Sequence, residues 1–157
     1  MLAGRCHCGA ISYVAEGEPE HHALCHCSDC RRSAGAPMVG WIAFRSEQVT
    51  ISGDPMTYES SASGRRQFCG RCGTGLFYTN AEYLPGIIDL QSCTLDDPEA
   101  VAPGAHIQVA DRLAWMADVP LCLRSSDIRG CDLTPHLEFR RVVGPTPNRR
   151  ASVTNHG

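Results

Sequence analysis

The sequence predicts a mainly β chain organised around metal-binding cysteines. Three observations carry that prediction. Short runs rich in Val, Ile, Thr, Tyr and Phe recur between Gly, Pro and Asp clusters, the pattern of strands and turns. No apolar period near 3.6 residues is sustained, so long helices are not expected. Seven of the ten cysteines fall into three tight clusters: Cys6-His7-Cys8, Cys25-His26-Cys27-Ser28-Asp29-Cys30, and Cys69-Gly70-Arg71-Cys72.

In chain order, Ala10–Ala15 reads as a short strand stopped by Gly17 and Pro19. His22–Cys27 is a second strand candidate. Ser28-Asp29 then looks like a cap or turn into one helical turn over Cys30–Ala34, ended by Gly35 and Pro37. Val39–Phe44 and Val49–Ser52 are strand-like, and Gly53-Asp54-Pro55 turns the chain back into Met56–Ser60. Gln67-Phe68-Cys69 and Leu76-Phe77-Tyr78 flank the last cluster, as a hairpin around a metal would. Gly86–Leu90 and His106–Val109 complete the strands, with a turn or a single helical turn over Asp96–Ala100 between them. After Cys122 the pattern weakens, and from Gly144 the Pro, Asn, Arg, Ser and Thr run reads as disordered. The expected organisation is a zinc-binding domain over residues 2–122 and an extension over 123–157.

A chain of 157 residues is one ordinary domain. Net charge is −3, which gives no electrostatic case for nucleic acid as a partner. No apolar run reaches membrane-spanning length, and the N-terminus lacks the apolar core of a signal peptide. A cytoplasmic location is the expectation, where thiols stay reduced and bind metal. All fourteen basic residues are arginines. The absence of lysine excludes a Schiff-base lysine, a lysine general base and a P-loop lysine.

Seven sulfurs grouped two, three and two do not suit one tetrahedral zinc. They suit two: a closed site with four thiolates and an open site with three. In a strand, residues i and i+2 share a face, so Cys6 with Cys8, and Cys25 with Cys27, can each offer two sulfurs to one ion. The Cys69-Gly70-Arg71-Cys72-Gly73 knuckle carries no third sulfur, and neither does the first pair. Cys6, Cys8, Cys69 and Cys72 are therefore expected to hold the closed zinc, and Cys25, Cys27 and Cys30 the second. Disulfides are disfavoured by a reducing compartment, and a redox Cys-x-x-Cys would need a βαβ context that is missing. Cys93, Cys122 and Cys131 read as buried apolar residues, although Cys93 as a fourth ligand would close the second site. His7 and His26 lie between cysteines and should point away from the metal. His21, His22 and His106 remain possible ligands or bases. Arg31, Arg32, Arg65, Arg66 and Arg71 stand close to the cysteines, where they would offset thiolate charge or hold a substrate carboxylate.

The stretches Arg5–Ile11, Cys25–Arg31 and Phe68–Gly73 resemble the glutathione-dependent formaldehyde-activating (GFA) family, whose domain also occurs in centromere protein V. His106-Ile107 and Ala114-Trp115 look like the family's C-terminal segment, and the resemblance covers about Leu2–Cys122. It implies a fold of several small coiled β-sheets around zinc, a β-tent shared with a Rab-GTPase-chaperone superfamily. It also implies a structural zinc on Cys6, Cys8, Cys69 and Cys72, and a catalytic zinc on Cys25, Cys27 and Cys30. This is the partition reached by counting sulfurs. The implied activity is carbon–sulfur lyase chemistry, in which formaldehyde condenses with the thiol of glutathione. The expected partner is thus a small thiol such as glutathione. The alternative is a non-catalytic zinc module for a protein partner.

Overall fold

The computed structural model describes residues 1–117. The expected extension over 123–157, its disorder from Gly144, and Cys122 and Cys131 lie outside the described residues. Within them the mainly β expectation holds. The strands are β1 (Leu2–Arg5), β2 (Ser12–Ala15), β3 (His21–Cys25), β4 (Val39–Arg45), β5 (Val49–Ser52), β6 (Met56–Glu59), β7 (Gly64–Phe68), β8 (Gly75–Asn80), β9 (Leu84–Gln91) and β10 (Ala105–Ile107). One helix, α1 (Ser28–Ala34), follows β3 and ends at Gly35, whose φ of 62° is left-handed.

Two sheets form. A three-stranded antiparallel sheet runs β1-β2-β5, and a seven-stranded sheet runs β10-β3-β4-β9-β8-β7-β6. Among the described strands only β10 pairs in parallel, against β3. Alternation along β4 sorts the large sheet into two faces. Ile42 lies opposite His22 and Leu90, whereas Trp41 lies opposite Ala23 and Gln91. The Ile42 face meets the small sheet: Tyr13 and Ala15 join Ile42, Phe44, Phe77 and Leu90 in one fully buried cluster. Tyr13 packs edge-on to Phe77 at 5.3 Å, and its hydroxyl lies 2.7 Å from Thr94 Oγ1. That bond satisfies the one polar atom this ring brings into the core. His22 is buried on the same side and belongs to neither cysteine cluster.

The opposite face carries the chemistry. Cys25, Cys30, Val39 and Trp41 pack together there, with Tyr78 and Cys27 against them. Asp89 lies on this face too, paired in register with Ala43 and Tyr78. Its side chain is buried, Oδ1 has no hydrogen-bond partner among the described residues, and His21 Nε2 lies 3.9 Å away. Burial pushes this carboxyl up to about 6. A folded pKa above the unfolded value means that the native state holds the proton more tightly. Stability therefore falls as pH rises from about 4 through about 6. Asp89→Asn should stabilise the protein at pH 7.5 by up to about 3 kcal/mol and have little effect below pH 4. Urea midpoints of both proteins at the two pH values check this.

Candidate metal centres

The first cluster joins the two sheets. Cys6 and Cys8 lie in the loop between β1 and β2, and Cys69 and Cys72 lie between β7 and β8. Their four sulfurs fall within 4.8 Å of one another. Cys6 Sγ is 3.6 Å from Cys8 Sγ, which is 3.8 Å from Cys69 Sγ. Strand geometry does not cause this convergence. Cys6-His7-Cys8 is a turn rather than strand, and Ala10-Ile11, expected in β2, belong to that turn. The Cys6 N–H donates to the Ile11 carbonyl at 2.9 Å, and the Ile11 N–H donates back to Cys6 Sγ at 3.3 Å. The second loop repeats the arrangement, with Cys69 N–H donating to the Thr74 carbonyl and Gly73 N–H to the Cys69 carbonyl. Gly9 (φ 74°) and Gly73 (φ 77°) follow the outer cysteine of each loop. Both hold a left-handed backbone that a side chain would strain.

The second cluster is local. Cys25 ends β3, Cys27 caps α1 and Cys30 lies in its first turn. Their sulfurs also fall within 4.8 Å of one another. Cys27 takes the capping role that the sequence suggested for Ser28-Asp29, because its Sγ accepts the Cys30 N–H at 3.3 Å. Again the strand argument fails, since β3 stops at Cys25.

The thiols titrate unequally within each cluster. The Thr74 hydroxyl and N–H hold Cys72 down at about 5. The Ala10 N–H lowers Cys8, but burial and the three neighbouring thiols outweigh it and push Cys8 up to about 11. In the second cluster burial pushes Cys25 up to about 12. Burial also raises Cys27, but hydrogen bonds from Cys30 outweigh it and lower that thiol. One sulfur ionises readily while its neighbour resists, because adjacent thiolates repel. A dication among them removes that conflict, so both donor sets fit a soft, thiol-preferring ion such as zinc.

Arg66 on β7 reaches the second cluster from the far side of the sheet face. The guanidinium is buried, donates to Asp29 Oδ2 at 2.6 Å and to Cys30 Sγ at 3.6 Å, and stacks 4.9 Å from the Tyr78 ring centroid. Tyr78 in turn lies 6.1 Å from Trp41. Arg32, Arg66, Asp29, Trp41, Tyr58 and Phe77 line a cleft of about 620 Å³ beside this cluster. Of the arginines singled out in the sequence, Arg65 instead pairs with Glu59 at 3.0 Å and with nearby loop carbonyls. Arg31 donates to the His26 carbonyl at 3.2 Å. Arg66→Met should weaken metal retention at Cys25, Cys27 and Cys30 about 10-fold, since a group that hydrogen-bonds a ligand tunes its donor strength. Competition with a chelator, read by metal content, measures the change.

Three expectations need adjustment or gain a location. His26 joins neither cluster; its ring is fully buried and its Nε2 lies 2.8 Å from His106 Nδ1 in a near-parallel stack. Burial, then the neighbouring His106, lowers its pKa. Cys93 is exposed rather than buried. It shares a surface hollow with Arg5, Cys6, His7 and Thr74, beside the first cluster, and is not among the sulfurs of the second. His21 is the histidine that meets an acid, Asp89, away from both clusters.

Comparisons with known proteins agree with this architecture. A model of the family described as "Glutathione-dependent formaldehyde-activating enzyme" matches residues 1–111, which contain both clusters. An uncharacterized lyase of Schizosaccharomyces pombe is 30% identical over 110 residues, spanning 61% of this chain and 80% of its own. A Halomonas elongata protein, provisionally named a glutathione-dependent formaldehyde-activating enzyme, is 26% identical over 133 residues, 74% of this chain and 80% of its own. The crystal structure of a Rhodobacter sphaeroides protein shares the fold, with a TM-score of 0.54 at 21% identity over 66% of this chain and 98% of its own. Among the described residues no helix is long and apolar enough to cross a membrane. The chain belongs to the glutathione-dependent formaldehyde-activating enzyme family.

Proposed function

We propose that this protein is a zinc-dependent carbon–sulfur lyase-type enzyme acting on thiol adducts of formaldehyde or a related small aldehyde. The observation that carries the reading is a three-thiol cluster set beside an arginine-bearing cleft. Cys25, Cys27 and Cys30 would hold the catalytic zinc, and Cys6, Cys8, Cys69 and Cys72 a structural one. Bound by three thiolates, zinc supplies the positive charge that lets an incoming thiol ionise near neutral pH.

The chain's own residues supply the rest. Arg66 offsets thiolate charge at Cys30 while Asp29 and Tyr78 hold its guanidinium in place. Arg32, exposed in the cleft, suits a carboxylate of a glutathione-like thiol. Trp41 gives the cleft an apolar wall that limits water at the reacting carbon. In the reaction the thiol sulfur bonds to the aldehyde carbon, and the thiol proton ends on the carbonyl oxygen. Exchange NMR with carbon-13 formaldehyde and glutathione tests the reading. Adduct formation should exceed the uncatalysed rate, and S-methylglutathione should give none. A rate equal to that of the buffer would overturn the enzyme reading.

A further inference from the structure

A second, smaller hollow of about 400 Å³ lies on the same sheet face, with Trp41 contributing to both it and the arginine-bearing cleft. Trp41, Leu84 and Ile107 form apolar walls, and two alanines complete them. The polar side chains that line it are Asp89 and, half exposed, His21. Asp89 is 5% exposed and Oδ1 lacks a hydrogen-bond partner among the described residues. Such a carboxylate is costly unless something cationic or donating meets it. His21 at 3.9 Å is too far to hydrogen-bond it.

The chemistry of the walls selects the ligand. Among the described residues no arginine lines the hollow, and the chain has no lysine, so an anion would face Asp89 with no guanidinium or ammonium to offset it. One carboxylate and one imidazole among apolar side chains do not make a metal site. A neutral apolar molecule would fill the space but leave Asp89 further desolvated. An ammonium group on a short hydrocarbon body meets every requirement: charge and N–H donors for Asp89, and apolar contact for Leu84, Ile107 and Trp41. We infer that this hollow is a binding site for a small alkylammonium, a site separate from both cysteine clusters.

The probe is n-pentylammonium, with n-pentanol and pentanoate as its neutral and anionic counterparts. The metal-loaded full chain is titrated while the indole N–H resonance of Trp41 is followed by NMR; the chain has only two tryptophans, so it is readily assigned. Pentylammonium should give a saturable shift at millimolar concentration, with pentanol and pentanoate at least about 10-fold weaker. Asp89→Asn should remove the preference for the cation, and its urea midpoint, equal to or above wild type, would show that the fold is intact. Equal binding of pentanol and pentylammonium, undiminished cation binding in Asp89→Asn, or no saturable shift would each overturn the assignment. The readout does not depend on aldehyde chemistry, so it stands or falls apart from the proposed function.

Discussion

Cys72→Ser is expected to abolish the folded state. The four sulfurs of Cys6, Cys8, Cys69 and Cys72 come from two loops far apart in sequence, one on each sheet. Cys6 and Cys69 are also buried members of the core that Tyr13, Phe77 and Leu90 build between those sheets. Metal binding at such a site is folding free energy, on the order of 10–16 kcal/mol in small zinc-finger peptides. That is comparable to the whole of the roughly 5–15 kcal/mol of net stability of a typical domain. A site that has lost one thiolate and binds its metal poorly thus gives up an energy of the same size as the stability of the fold. Circular dichroism and solubility of the purified variant check this. A soluble Cys72→Ser protein with the wild-type spectrum would mean that the sheets hold together without the ion.

Cys27→Ser is expected to do the opposite: keep the fold and lose the chemistry. Cys25, Cys27 and Cys30 lie within six residues, so their cluster fastens no distant segments. Serine also preserves the local structure. Cys27 caps α1 by accepting the Cys30 N–H, and a serine hydroxyl is among the best groups for that position. The variant should retain one zinc per chain, a wild-type spectrum, and adduct formation reduced by more than about 100-fold. Binding of glutathione should vanish with it. In the wild type that binding should release a proton, visible as heat that depends on the buffer's ionisation enthalpy. If Cys27→Ser is as unfolded as Cys72→Ser, the second cluster is structural and the protein-binding zinc module becomes the better reading.

Much of this was legible in the sequence because metal ligands arrive as compact motifs. Counting sulfurs separated the two clusters, and the structure brings together those same groups. The strands were legible where β-branched and aromatic residues run between turn residues, as in Val39–Phe44, which the structure extends by one residue to Arg45. β1 was not, since Leu2-Ala3-Gly4-Arg5 is short and contains glycine; only its pairing with β2 makes it a strand. The reason for sulfur convergence was misread. Tight loops, with a hydrogen bond from Ile11 N–H to Cys6 Sγ, do what alternation along a strand was expected to do. Arg66 was legible only as one of five arginines near the cysteines, and Asp89 not at all, for a different reason. A polar residue in a strand faces either water or its neighbours, and which one depends on the strands and rings laid beside it. Trp41, Tyr78 and β10 decide that for these two side chains, and none of them is near in sequence.

On the proposed reading the two cysteine clusters hold metal unequally, one for the fold and one for the reaction. Graded chelation of the purified protein, with zinc content and circular dichroism followed together, tests it most directly. Two zincs per chain are expected at the outset, with loss of the first leaving the spectrum unchanged and thiol binding gone, and loss of the second only with unfolding. Release of both in a single step, together with the fold, would contradict it.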